Sequence, residues 1–178
     1  MILTIGHSTH PIAEFLRLLE AHGVEALADV RTVPRSRHNP QFNLDELPES
    51  LRRAGIPYRH MPELGGLRRA RRDSPNTGWR NSSFRGYADY MQTAEFAAAL
   101  DSLMALARER RVAIMCAESV PWRCHRSLIA DALAVRGIAV QHIMTVSSTR
   151  PHSMTAFARV EGTRITYPED PRQESLGL

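Results

Sequence analysis

The sequence predicts a single α/β domain, a three-layer sandwich built on a mainly parallel sheet of about five strands. Short apolar runs alternate along the chain with segments of helical periodicity, an order typical of βαβ units. Right-handed connections between such strands place helices on both faces of the sheet. The length of 178 residues suits one domain with a core of its own.

Five apolar runs have the composition of buried strands, with turn-forming or polar residues at their ends. They are ILTIG (2–6), VEALADV (24–30), IPYRHM (56–61), VAIMC (112–116) and IAVQHIM (138–144). Pro57 favours an edge position for the third run, because proline cannot donate to a strand ladder. A weaker strand, TRITY (163–167), lies in the tail.

Helical periodicity separates these runs. In the first helix, apolar residues recur at i, i+3, i+4 and i+7 between Pro11, which suits a first turn, and Gly23, which suits a helix end. The other predicted helices cover residues 44–54, 94–110 and 125–136. The segment 64–86 is predicted to be a long irregular loop. Residues 1–146 then form the α/β domain, and residues 147–178 form a partly irregular C-terminal extension that ends in a polar tail.

Composition favours a cytoplasmic protein. No apolar run approaches the ~20 residues of a membrane span, and the N-terminus lacks the basic and small-residue features of a signal peptide. Cys116 and Cys124 are the only cysteines, and we expect both to be reduced in the cytosol. All 23 basic residues are arginines, and the net charge of +4 gives a mild preference for anionic partners.

Polar side chains follow three of the predicted strands. In an open parallel sheet, ligands bind beyond the carboxyl ends of the strands. The side chains that reach this edge are His7 and Ser8 after the first strand, Asp29 and Arg31 after the second, and Cys116 and Glu118 after the fourth. The sequence therefore predicts a ligand site at this edge.

Several motifs resemble those of the domain of unknown function 488 family. They are TIGHS, DVR with PRS downstream, YRHMPELGG, FRGYADYM, and CAE followed by CHR, in this order over about residues 2–143. The CAE and CHR pair is the most specific of them. The resemblance implies a Rossmann-like α/β domain, in agreement with the periodicity, and it implies no particular activity.

The stretch CAESVPWRCHR (116–126) contains groups that suit a metal site, a reactive thiol or an anion site. Its spacing argues against zinc, because it has no Cys-x₂₋₄-Cys pair and completes only half of a deaminase signature. No Gly-x-Gly-x-x-Gly follows the first strand, which argues against a nicotinamide cofactor. We therefore expect neither a metal nor a cofactor.

A helix beginning near Cys124 would present free N–H groups and the positive end of its dipole to an anion. Arg126 in its first turn, with Arg31 opposite, would bind that anion, and His125 would lie beside it. Glu118 is the alternative partner of Arg126, in which case the two would form an internal ion pair. Both interpretations follow from the same residues.

Cys124 at this helix start is the more acidic of the two thiols in this interpretation, and Cys116 is a buried, less reactive thiol. Adjacent helical residues point about 100° apart, so His7 suits a base for Cys124 better than His125 does. The candidate catalytic residues are His7, Glu118 and Cys124. The candidate ligand-binding residues are Ser8, Asp29, Arg31, Cys116, His125 and Arg126.

Two functions fit these observations. The first is an enzyme-like pocket for a small anionic ligand of the phosphate or nucleotide type. The second is a non-catalytic nucleic-acid-binding or accessory protein that uses the arginine-rich segments 31–37 and 68–72. Because no sequence-reading motif is present, we expect any such binding to be weak and non-specific.

Overall fold

The computed structural model describes residues 1–169, and within them one central sheet contains five parallel strands and one antiparallel edge strand. The parallel strands are β1 (Ile2–Gly6), β2 (Ala26–Asp29), β3 (Tyr58–His60), β4 (Val112–Cys116) and β5 (Val140–Thr145). Antiparallel to β5 lies β6 (Ser148–Pro151), and the order across the sheet is β3-β2-β4-β1-β5-β6. A separate hairpin joins β7 (Arg159–Glu161) and β8 (Arg164–Thr166).

Helices cover both faces of the sheet. They are α1 (Ile12–Ala21), α2 (Leu47–Arg53), α3 (Ser82–Tyr90), α4 (Ala94–Glu109) and α5 (Arg126–Ala134). Successive strand residues point to opposite faces, so Leu3 and Ile5 pack with α1 and α2, whereas Ile2 packs with α3, α4 and α5. The molecule is therefore a three-layer, Rossmann-like α/β domain, and the predicted fold class is confirmed.

The strands β1 and β4 are neighbours in the sheet, and the connections that leave them run in opposite directions. From β1 the chain passes through α1 to β2 and through α2 to β3, towards one edge of the sheet. From β4 it passes through α5 to β5, towards the other edge and on the opposite face. Right-handed crossovers require this change of face when the direction reverses. A crevice therefore opens beyond the carboxyl ends of β1 and β4, which is the usual ligand position in such sheets.

Three details differ from the sequence-based expectations. The segment predicted as an irregular loop over 64–86 contains the start of α3, and the region after residue 147 adds β6 to the main sheet. The last helix begins at Arg126 because Cys124 has an extended backbone, with φ −129° and ψ 146°.

The tail after β8 is described only as far as residue 169, so the polar end predicted for the chain lies outside the described residues. Of the helices that are described, none combines the length and apolar character needed to cross a bilayer.

Candidate functional site

A cavity of about 680 Å³ opens at the crevice between the ends of β1 and β4. Five segments supply its walls: the loop after β1 (7–9), the loop after β2 (31–39), residues 66–67, the beginning of α3 (81–87) and the loop after β4 (116–125). All five segments follow strands of the sheet or connect them, so the fold itself determines where the cavity lies.

The loops after β1 and β4 are held together by continued strand-like pairing. The N–H of His7 donates to the Cys116 carbonyl at 2.9 Å, and the N–H of Ser8 donates to the Ala117 carbonyl at 2.9 Å. Ser8 has φ +46°, a left-handed conformation that costs a non-glycine residue on the order of 1 kcal/mol. The pairing therefore holds a strained residue at the cavity wall.

Asp29 and Arg31 form a buried ion pair below the cavity. Arg31 donates from Nε to Oδ1 at 2.9 Å and from one terminal nitrogen to Oδ2 at 2.6 Å. That nitrogen also donates to the Phe42 carbonyl, and Tyr58 donates its hydroxyl to Asp29 at 2.7 Å. Together with a contact to His7, these bonds engage four of the five guanidinium N–H groups, so Arg31 has little capacity left for a ligand.

His7 completes this buried network. Its Nδ1 lies 2.9 Å from the Ser8 carbonyl and must donate to it, so Nε2 accepts from Arg31 at 3.1 Å. The ring stacks on Phe42 with 4.2 Å between centroids. Burial, reinforced by the Arg31 charge, lowers the pKa of His7 to about 4. The imidazole is therefore neutral near pH 7, and both ring nitrogens have protein partners.

Cys116, Cys124 and His125 converge on the floor of the cavity. The Nδ1 atom of His125 lies 3.7 Å from the Cys124 sulfur and 4.0 Å from the Cys116 sulfur. Its Nε2 donates to the Val30 carbonyl at 3.0 Å, which leaves Nδ1 with a free lone pair directed at the thiols. The extended backbone of Cys124 allows this convergence, which a helical backbone would not.

The two thiols differ in acidity. A hydrogen bond from the neighbouring Cys116 thiol holds the pKa of Cys124 well below its usual value, and the Arg126 charge adds to this effect against burial. The same hydrogen bond, together with burial, raises the pKa of Cys116. These directions agree with the sequence-based assignment of Cys124 as the more acidic thiol.

Arg126 lies behind the cavity wall and does not line it. Its guanidinium is buried and donates to the Thr4 hydroxyl at 3.2 Å and to the Glu118 main-chain carbonyl. The Glu118 carboxylate instead accepts the N–H of Val120 at 3.2 Å. Arg126 therefore fixes the loop after β4 to β1, and the alternative arrangement, an ion pair between Glu118 and Arg126, is not formed.

Two other arginines line the cavity, and neither was among the candidate site residues predicted from the sequence. Arg35 and Arg123 are exposed, and no carboxylate or hydrogen-bond acceptor among residues 1–169 engages their side chains. Phe84 and Tyr87 from α3 form an apolar part of the wall. Arg35 and Arg123 could be identified only from the fold, which shows which of the arginines remain unpaired.

A family model described as "Domain of unknown function DUF488" matches residues 11–133, more than half of the chain. The chain belongs to this family. Comparisons with curated proteins and with solved structures gave no match. The matched range contains every segment of the cavity wall except the loop after β1.

The candidate residues from the sequence divide into two groups. His7, Ser8, Arg31, Cys116, Glu118, Cys124 and His125 line the cavity. Asp29 and Arg126 instead support it from behind. His7 was expected to act as the base for Cys124, but its nitrogens face Ser8 and Arg31, and the imidazole beside Cys124 is that of His125.

Proposed function

We propose that the protein is a cytoplasmic enzyme that binds a small anionic ligand, of the phosphate or nucleotide type, in the cavity between β1 and β4. The observation that carries this proposal is that Arg35 and Arg123, both unpaired within residues 1–169, line the same cavity as the Cys116–Cys124–His125 cluster. The cytoplasmic location is supported by the two free thiols of this cluster, because a reducing compartment keeps thiols in that state.

The charges around the cavity favour an anion. Asp29 neutralises Arg31, so the positive charge available to a ligand comes from Arg35 and Arg123, against the single carboxylate of Glu118. A guanidinium can bind a phosphate or carboxylate through two parallel hydrogen bonds, which suits arginine for this role. We therefore assign anion binding to Arg35 and Arg123, in place of Arg31 and Arg126, which the sequence analysis had assigned to it.

The size and walls of the cavity suit a ligand larger than a free phosphate ion. A volume of about 680 Å³ lies within the range of small-molecule sites. Phe84 and Tyr87 supply an apolar wall on which a flat ring could pack, while the arginines would hold an anionic group. The Cys–His cluster on the floor is the part of the site that supplies reactive groups.

The arginine-rich segment 68–72 gives less support to the alternative, nucleic-acid binding. Arg68 lies over the Tyr90 ring at 3.6 Å and also donates to main-chain carbonyls, and Arg71 is paired with Asp73 at 2.7 Å. A phosphate-binding stripe needs several arginines that are free on one face. Only part of this segment meets that condition.

Thermal unfolding in the presence of anions tests the proposal. We expect inorganic phosphate and adenosine monophosphate to raise the melting temperature of the wild-type protein, and adenosine to raise it less, because ligands that bind the native state stabilise it. The Arg35→Ala/Arg123→Ala double variant should weaken binding by about tenfold or more, the effect of losing one hydrogen bond to a charged group.

Arg37→Ala is the matched control, because Arg37 is exposed in the same loop as Arg35 but does not line the cavity. It should keep the wild-type response. A shift that survives in the double variant, or no shift with any of the anions, would contradict the proposal.

A further inference from the structure

Three soft ligand atoms meet on the cavity floor at distances that suit one metal ion. The sulfurs of Cys116 and Cys124 and Nδ1 of His125 all lie within 4.8 Å of one another. In a tetrahedral zinc site, bond lengths of about 2.3 Å to sulfur and about 2.0–2.1 Å to nitrogen place sulfur and nitrogen about 3.6 Å apart. The observed sulfur–nitrogen distances of 3.7 Å and 4.0 Å are close to that value.

The orientation of His125 also matches that of a metal ligand. Histidines that bind metals usually donate their other ring N–H to a carbonyl or carboxylate, which fixes the ring and directs the lone pair at the metal. His125 does this through Nε2 and the Val30 carbonyl at 3.0 Å. Its tautomer is thereby set for binding through Nδ1.

The approach to Nδ1 is kept open by a glycine. A Cβ atom on Gly66 would lie 3.2 Å from His125 Nδ1, in the space next to the ligand atoms. Gly66 and all three ligand residues line the cavity, so this space is continuous with it. Any side chain at position 66 would narrow that access.

We propose that Cys116, Cys124 and His125 bind one Zn²⁺ ion whose fourth coordination position faces the cavity. Two thiolates and a neutral imidazole are a common catalytic zinc set, and the remaining position takes water or a substrate oxygen. Binding releases the thiol protons to solvent, so the ion and its ligands carry no net charge in this partly buried place. No oxidation or reduction is involved.

The sequence offered these groups as possible metal ligands, but their spacing argued against zinc, because the two cysteines are eight positions apart and the histidine adjoins one of them. Among the described residues, this is the one group of three or more potential ligands that converge. The inference goes beyond the proposed function and does not depend on anion binding by Arg35 and Arg123.

Cobalt substitution of the reduced protein provides the test. After treatment with a chelator, the wild-type protein should bind one equivalent of Co²⁺, with the visible bands of a tetrahedral site and the near-ultraviolet band of thiolate ligation. Zn²⁺ should displace the cobalt and slow the reaction of both thiols with an aromatic disulfide reagent. Both measurements use the wild-type protein, so they do not depend on the folding of a variant.

Cys116→Ser and His125→Gln should lose the one-equivalent binding, with folding checked by circular dichroism. His38→Ala should retain it, because His38 is an exposed histidine outside the cavity. No saturable binding, binding without the thiolate band, or binding unchanged in Cys116→Ser would overturn the proposal.

The phosphate titration of chelator-treated protein separates this inference from the proposed function. A phosphate shift without metal binding would reject the zinc site alone. Metal binding without a phosphate shift would reject the anion site alone.

Discussion

Each nitrogen of the Arg31 guanidinium has a hydrogen-bond partner, and one of these bonds determines the protonation state of His7. Nε and one terminal nitrogen bind Asp29, and the other terminal nitrogen donates to His7 Nε2. This arrangement requires a neutral imidazole, since a protonated ring would direct an N–H at the guanidinium. Asp29 and Arg31, which sequence reasoning assigned to ligand binding, therefore bind each other, and Arg31 keeps the buried His7 neutral.

Acid should destabilise the protein through His7. Its pKa is about 4 in the folded state against 6.5 for an unperturbed histidine, so between these values only the unfolded state takes up the proton. The free energy of unfolding should fall by up to about 3 kcal/mol from this residue as the pH drops from 6.5 to 4. His142, whose pKa burial also lowers to about 4, contributes a second loss over the same interval.

Urea denaturation at several pH values measures this effect. His7→Gln removes the titrating group while retaining an acceptor for Arg31, so its stability should depend less on pH than that of the wild type. His38→Ala, at an exposed histidine, should leave the dependence unchanged. A pH dependence equal in His7→Gln and wild type would show that His7 does not carry the effect.

The sequence predicted which strand ends carry polar groups, but not how those groups pair. Cys124 and His125 were assigned to a helix, where neighbours diverge; the extended backbone at Cys124 instead brings both beside Cys116. Arg35 and Arg123 could not be distinguished from the other arginines, because periodicity does not show which guanidinium groups find an internal acceptor. Pairing of this kind depends on tertiary contacts and leaves no local pattern.

At the scale of elements, α3 is the helix that sequence reasoning missed. Its residues SSFRGYADY include a glycine and several poor helix formers, which lowers its intrinsic propensity. Two local signals were nevertheless present. Asn81 caps the helix by accepting the N–H groups of Ser83 and Phe84, and the apolar residues at 84, 87 and 88 have i, i+3, i+4 spacing. The packing of Tyr87 in the core outweighs the weak propensity.

Gly86→Ala in α3 should destabilise the protein, although the same change in an exposed helix interior stabilises by about 1 kcal/mol. A Cβ atom at this buried position would overlap the main chain of Arg68 and Ala70. We expect a loss of about 1–3 kcal/mol, typical of overpacking, measured by urea denaturation. The shift of α3 should also weaken the phosphate response, because Phe84 and Tyr87 line the cavity.

Ser82→Ala, at an exposed position in the same helix, should change stability by less than about 0.5 kcal/mol. Stabilisation by Gly86→Ala would indicate that α3 has room to move away from residues 68–70 without cost.

At the scale of the whole molecule, the order of helices and strands determined most of the fold. Alternating periodicities predicted five strands in their observed order along the chain, and the polar residues at the strand ends indicated the edge of the sheet at which the cavity opens. The strand β6 escaped prediction because its residues are mostly exposed and lack alternation. It is ordered by its pairing with β5, a long-range contact that a local pattern does not report.

The chain beyond the family match is attached to the core by Asp131 in α5. Its buried carboxylate accepts hydrogen bonds from His152 Nε2 at 2.8 Å, from the N–H and hydroxyl of Thr155 at 3.1 Å and 2.7 Å, and from the Tyr167 hydroxyl at 2.9 Å. The match ends at residue 133, so this one side chain joins the matched part to three residues that follow it.

Asp131→Asn should therefore loosen the C-terminal part as a unit. Asparagine has nearly the same shape, but its N–H₂ group replaces one of the two carboxylate oxygens that accept hydrogen bonds. At least one buried donor therefore loses its acceptor. The expected loss is at least about 1.5–3 kcal/mol, the value of one hydrogen bond to a charged group, measured by urea denaturation.

Limited proteolysis should cut the variant faster within residues 152–167, whereas Asp101→Asn, on the exposed side of α4, should match the wild type in both measurements. Equal stability of Asp131→Asn and wild type would mean that β6 pairing and the buried Tyr167 ring hold this segment without the carboxylate.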